Sequence, residues 1–232
     1  MLKSYVAFDI ETTGLSPEHN EIIEIGALKV REGTVVDRFI QFIEPEAGIP
    51  PMITELTGIT NEMVEGAGDC GEVLPEFLEF CEQDILIGHN VQFDFSFVKT
   101  KAKELGYTYD HMGIDTLKIA KVVHADLPSR KLGALCEYYH IENAAAHRAY
   151  HDALATAKLY QSMAHFYEET EPKVFKPQPL AYKVKKKEPV TAKQVAFLTR
   201  LMKERHITLE KDIHTFTKSE ASREIDRILS QH

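Results

Sequence analysis

The chain has 232 residues, 44% of them hydrophobic and 27% charged, with a net charge of −9. That length suits one large domain, or one domain with a small module, and the composition is that of an ordinary globular chain with enough apolar residues for a core. The charge is unevenly placed: residues 1–170 hold 13 Lys/Arg against 28 Asp/Glu, a balance of −15, while residues 171–232 hold 14 against 8, a balance of +6. An acidic body repels polyanions unless a cation neutralises its site, and a basic tail attracts them. No apolar run approaches the length of a membrane span, so no membrane partner is expected. The N-terminal Met1-Leu2-Lys3-Ser4 enters the first strand without the apolar stretch of a secretion signal, and a cytoplasmic location is the default expectation. Cys70, Cys81 and Cys136 are an odd, scattered set without zinc or disulfide spacing and read as reduced thiols.

The first element, from Tyr5 to Gly14, is an apolar run ending in Asp9-Ile10-Glu11-Thr12-Thr13-Gly14, and it reads as a buried strand. Asp9 and Glu11 are two apart and share one face of it. Two carboxylates there repel each other and lose hydration, and a divalent cation is the simplest compensation; the alternative is a solvated strand end. Strands over 22–30 and 34–43 follow around a turn at Arg31-Glu32-Gly33, forming an antiparallel meander that ends in a proline-bearing loop at 44–51. Short helical pieces at 52–56 and 60–64 flank Thr57-Gly58. A helix carries Val73, Phe77, Leu78 and Cys81 on one face. A short strand at 85–88 runs into His89-Asn90 and a helix over 93–105. Ile114-Asp115-Thr116 is a further strand, and helices are expected over 117–123, 132–139 and 149–168.

Residues 171–189 carry four prolines and the run Lys183 to Lys187, and read as a basic linker. Beyond it, 190–232 reads as a small helical module: Val195, Leu198, Leu201 and Met202 on one helix, then Ala221, Ile225, Ile228 and Leu229 on another behind a Thr217 to Glu220 capping box. Two roles stand open for this tail, gripping a nucleic-acid backbone or docking a protein. The expected fold class is α/β, a mixed sheet with helices around it.

Three places carry candidate chemistry: the Asp9/Glu11 pair, Asp94 after a strand end, and His147 with Asp152 at the start of the long helix. Each acid in a helix first turn has a plain reading as dipole complement. Together they follow the order of a known family. Asp9 to Leu15, His89-Asn90-Val91-Gln92-Phe93-Asp94, and His147-Arg148-Ala149-Tyr150-His151-Asp152-Ala153 resemble the three motifs of the DEDD exonucleases, and Thr57-Gly58-Ile59-Thr60 resembles the loop between the first two. Arg148 stands where one branch of the family has tyrosine, so the histidine branch fits. About residues 4–165 are similar to DnaQ-like, DEDDh-type 3′→5′ exonucleases, the proofreading subunits and domains of bacterial polymerases.

The resemblance implies an RNase H-like fold with a five-stranded mixed sheet over 1–170. It implies a metal-dependent enzyme that hydrolyses phosphodiesters from the 3′ end of a nucleic acid, single-stranded DNA first. Two divalent ions, Mg²⁺ or Mn²⁺, are implied at Asp9, Glu11, Asp94 and Asp152, roughly 3.5–4 Å apart, with His147 as general base. The backbone of Thr12 and Thr13 is expected to seat the 3′-hydroxyl, Leu15 and the Ile59 region to pack on the terminal base, and Asn90 to reach phosphate or sugar. Asp115, His89 and His151 read as structural. The 232 residues hold no polymerase-sized region, so proofreading is expected to act in trans beside a DNA polymerase, with repair as the other role. An exoribonuclease is the enzymatic alternative, since handling of the 2′-hydroxyl is not legible here. A non-catalytic adaptor for polymerase or nucleic acid is the alternative from another class.

Overall fold

The structure, a computed structural model, describes residues 1–143, 146–185, 188–209 and 211–230. Of the basic run expected at 183–187, Lys186 and Lys187 lie outside the described residues. The chain divides into two compact units, Met1–Val184 and Lys185–His232.

The first unit is built on one mixed sheet. Its strands are β1 (Tyr5–Thr12), β2 (Ile22–Arg31), β3 (Thr34–Phe42), β4 (Leu86–Gly88), β5 (Met112–Asp115) and β6 (Gln178–Pro179), in the order β3-β2-β1-β4-β5-β6. The meander is antiparallel, with Asp9 opposite Gly26 and Glu11 opposite Glu24, and β1, β4 and β5 run parallel. The β2–β3 connection is a two-residue loop, Glu32-Gly33. Both residues have positive φ (49° and 80°), the twist that joins antiparallel strands directly.

The helices are α1 (Pro51–Thr57), α2 (Asn61–Val64), α3 (Cys70–Cys81), α4 (Val91–Glu104), α5 (Thr116–Val123), α6 (Leu132–Tyr138) and α7 (Ala149–Tyr167). Alternation along β1 sorts them. Val6, Phe8 and Ile10 face a core shared with α3 and α4, including Phe77, Phe95 and Phe97. Tyr5 and Ala7 face the opposite core with Ala153, Ala157, Leu159 and Tyr160 of α7. Each such large side chain stabilises by about 1.5–3 kcal/mol relative to exposure. The small residues Ala149, Ala153 and Ala157 recur at four-residue spacing on α7, so that helix lies close on β1 and β2.

The sheet has six strands where five are expected. The sixth, β6, pairs antiparallel with β5 and lies inside the stretch that reads as linker. Phe175 is buried against the α7 core, and Leu180 and Tyr182 pack on the other. The first unit therefore extends past residue 170. Prolines at 177 and 179 disguised a strand of only two residues, the kind of edge position that tolerates proline.

The second unit packs α8 (Ala192–Arg205) and α9 (Lys218–Ser230) around Leu198, Leu201, Phe216, Ala221 and Ile228. Thr191 and Gln194 form a capping box on α8, and Thr217 and Glu220 exchange hydrogen bonds at the start of α9. Leu229, expected in the apolar stripe, is exposed. Among the described residues no helix is long and apolar enough to cross a membrane, and all three cysteines are free.

Candidate active site

β1 outruns its parallel neighbour. Only Val6 and Ala7 pair with β4, which ends at Gly88. Further along, the backbone N–H of Ile10 donates to Asp94 Oδ1 at 3.1 Å. Asp94 lies in the first turn of α4 and is buried. Its helix begins after Asn90, held in the left-handed region at φ 70°, whose N–H donates to Asp115 Oδ1 at 2.9 Å. The same oxygen accepts from Leu117 N at 3.0 Å, so Asp115 ties the β4 end to the start of α5.

Asp9 and Glu11 point to the α7 face. Across the ladder from Asp9 is Gly26, where a Cβ would lie 1.9 Å from the backbone nitrogen of Tyr150. Only glycine admits the first turn of α7 here. Across from Glu11 is Glu24, 1% exposed. It accepts from Arg148 Nη2 at 2.9 Å and Nε at 3.2 Å, and from the backbone of Ala149 at 3.0 Å. Arg148 also lies over the Phe42 ring.

These contacts fix the helix start and bring His147 and Asp152 to the acids. His147 has φ 64°, and its N–H donates to Asp152 Oδ2 at 2.8 Å, while Asn143 Nδ2 donates to Oδ1 at 2.6 Å. A ring nitrogen of His147 and carboxylate oxygens of Glu11 and Asp152 all lie within 4.8 Å of one another. Asp9 and Asp94 act on the same site electrostatically.

Loss of hydration raises the Asp9 carboxyl well above its ordinary range, and the charges of Asp94, Glu11, Asp152 and Glu24 raise it further. Glu11 is pushed up to about 8, first by burial and then by Asp152, Glu24 and Asp94, with Arg148 opposing. Burial also raises Asp94, against hydrogen bonds that favour its charged form. Carboxylates that destabilise one another in this way, with no thiol among them, form a donor set suited to hard divalent cations such as Mg²⁺ and Mn²⁺.

The remaining expected residues separate. Thr12, the last residue of β1, and Thr13 after it are buried: Thr12 Oγ1 donates to Gly14 O at 2.7 Å, and Thr13 Oγ1 accepts from Glu21 N at 2.9 Å. Leu15 beside them is 85% exposed, and Asn90 is exposed at the β4 end. Ile59, expected in the terminal-base pocket, is instead fully buried against Ile23, Ile49 and Val64. Gly58, at φ 72°, turns the chain just before it. Both His89 ring nitrogens are engaged, Nδ1 with Thr116 Oγ1 and Nε2 with Arg130 O, each at 2.9 Å. His151 stacks edgewise near Tyr150.

Sequence reasoning missed Glu24, Gly26 and Asn143, and took Arg148 only as a non-tyrosine. Two signals were present: an acid inside the apolar run Ile22 to Ile25, and a glycine inside a strand, which marks close backbone approach.

A mixed sheet with carboxyls gathered where its parallel strands end defines an RNase H-like nuclease fold, and comparison with known proteins agrees. The exonuclease family model matches residues 6–160. The chain is 46% identical over 159 residues to a PolC-type DNA polymerase III of Caldanaerobacter subterraneus subsp. tengcongensis, covering 68% of this chain and 11% of the relative. It is 43% identical over 155 residues to the Clostridium perfringens counterpart, covering 67% and 11%. The chain thus spans only 11% of the length of either relative. In fold it resembles E. coli exonuclease I in complex with a dT13 oligonucleotide, with a TM-score of 0.64, 21% identity, and coverage of 75% of this chain and 43% of that one. The chain belongs to the exonuclease family, as a DnaQ-like DEDDh member, and is an enzyme of the nuclease class.

Proposed function

We propose that the chain removes nucleotides from the 3′ end of DNA by metal-dependent hydrolysis, in proofreading or repair. The observation that carries this reading is the meeting of Glu11, His147 and Asp152 within 4.8 Å, beside Asp9 and Asp94. Its support for DNA comes from the relatives, which are DNA polymerases by name, and from the DNA-bound neighbour in fold. The same relatives support a role beside a DNA polymerase.

Asp9, Glu11, Asp94 and Asp152 would hold two divalent cations, Mg²⁺ or Mn²⁺. Such cations, when bound, neutralise charge at phosphorus and ease ionisation of the attacking water. His147 takes the proton of that water at a ring nitrogen, a role its exposure toward solvent suits. Asp152 holds the His147 backbone, so base and acid keep one spacing. The Thr12–Thr13 turn seats the terminal 3′-hydroxyl, exposed Leu15 covers the terminal base, and Asn90 reaches the phosphate or sugar.

The test is release of mononucleotides from a 5′-labelled single-stranded DNA with Mg²⁺, Mn²⁺ or EDTA. Shortening from the 3′ end that EDTA and Asp9→Ala both abolish is the expected result. Undiminished activity of Asp9→Ala overturns the site. Faster shortening of an RNA of the same sequence overturns the choice of DNA.

A further inference from the structure

The C-terminal ends of β1, β4 and β5 lie side by side along one edge of the sheet. The Thr12 to Leu15 turn occupies the first station and Asn90 the second. At the third, where β5 passes into α5, is a groove that the site described above does not use. Leu117 and Leu132 give it an apolar floor beside His89, and Lys121, Arg130 and Lys131 stand around it.

This cationic rim belongs to a body in which residues 1–170 carry a balance of −15. Lys121 and Lys131 are exposed, and neither forms an ion pair among the described residues. Arg130 is held more firmly. Its Nε donates to His124 O at 3.0 Å, its Nη2 to Ala125 O, and its own carbonyl accepts from His89 Nε2 at 2.9 Å. His89 adjoins Asn90 and its ring bonds Thr116 Oγ1 at the start of α5, so the groove continues from the β4 end along the edge that carries the acids. Apolar surface between fixed and mobile cations suits a strand that offers bases and phosphates in alternation.

We infer that the groove formed by Leu117, Lys121, Arg130, Lys131 and Leu132 holds the nucleic-acid strand upstream of the scissile phosphate. The lysines and Arg130 meet its phosphates, and the two leucines meet a base face. The inference rests on the reading of the adjoining acids as a nuclease site. It adds a length preference: the groove contributes only when the substrate reaches past the terminal nucleotides.

The test pairs two substrates, a long single-stranded DNA and the nitrophenyl ester of thymidine 5′-monophosphate, which is too short to reach the groove. The variant is K121A/K131A, whose two side chains are exposed. KM for the long strand should rise about tenfold, and the slope of log affinity against log salt, read by fluorescence anisotropy, should fall by about 1.4, or roughly 0.7 for each lost phosphate contact. The ratio of variant to parent KM for the ester should stay near one. An unchanged long-strand KM and salt slope, in a parent that hydrolyses both substrates, overturns the groove and leaves the nuclease site standing. A parent that hydrolyses neither substrate with Mg²⁺ or Mn²⁺ overturns the nuclease reading and the groove with it.

Discussion

Glu24 and Arg148 lie 124 residues apart in sequence and form a two-nitrogen ion pair against the sheet, with the carboxylate almost fully buried. The neighbouring residues of each partner carry the site: Glu24 stands opposite Glu11, and Arg148 follows His147. The pair therefore sets the distance between the strand acids and the helix residues. Arg148→Ala leaves a buried carboxylate with only the Ala149 N–H. Removing one partner of a fully buried pair costs about 3–5 kcal/mol, and the half-exposed arginine brings the expected loss to about 2 kcal/mol. Urea denaturation should show that loss together with a reduced kcat. Arg148→Lys should recover only part of it, because lysine lacks the fork that reaches both oxygens. Wild-type stability in Arg148→Ala would mean that the pair does not anchor the helix.

His147 is exposed and occupies the left-handed region, so a test of its chemistry must keep that backbone. Asparagine tolerates positive φ better than alanine does. His147→Asn should lower kcat by about 10²–10⁴-fold, the usual worth of a positioned base, while stability stays within about 0.5 kcal/mol. Full turnover at neutral pH in this variant removes His147 from the proton transfer.

The raised carboxyls give the metal-free protein an inverted pH response. Below the ordinary pKa of about 4.5, Glu11 is protonated in both folded and unfolded chains. Above it the unfolded chain releases a proton that the folded site retains up to about 8. Asp9 and Asp94 shift in the same direction. The folded state then binds more protons than the unfolded one, so stability falls as pH rises through this window. Thermal denaturation in EDTA should show Tm declining from about pH 5 to about pH 8, and Mg²⁺ or Mn²⁺ should remove the decline by binding the deprotonated site. A Tm that climbs over that range in EDTA contradicts the electrostatic account.

Ile59 separates a packing role from a binding role. With no exposed surface, its loss opens a cavity beside Ile23, Ile49 and Val64. Ile59→Ala should cost about 2–4 kcal/mol and leave KM for a DNA strand unchanged. A raised KM at unchanged stability would restore the expected contact with the terminal base.

Much of the site was legible because strand alternation is a rigid constraint: once Asp9 and Glu11 lie on a strand, they share a face. Helix starts were less so. The helix α4 begins at Val91 and not Phe93, because Asn90 adopts a left-handed conformation that its sequence neighbours do not announce. Gly26 and Glu24 escaped notice because their meaning depends on a helix more than a hundred residues later. Ile59 was misplaced for a related reason. A motif match locates a residue along the chain, whereas the direction of its side chain depends on the turn at Gly58. Asp9 and Glu11 stand out as like charges side by side at a strand end, whereas Asp94 and Asp152, which fit a helix first turn equally well, stand out only through the family motifs around them.

The two residues of β6 have a consequence out of proportion to their length. A sheet ending at β5 would offer solvent a bare strand edge, and bare edges recruit other chains. Gln178–Pro179 occupies that edge with a segment whose proline has no N–H to donate onward. Leu180 N, bonded to His111 O at 2.9 Å, and the Tyr182 hydroxyl, bonded to Glu18 at 2.6 Å, fasten it in place. The stretch whose composition suggests a tether is thus a seal, and it leaves this side of the sheet without a sticky flank.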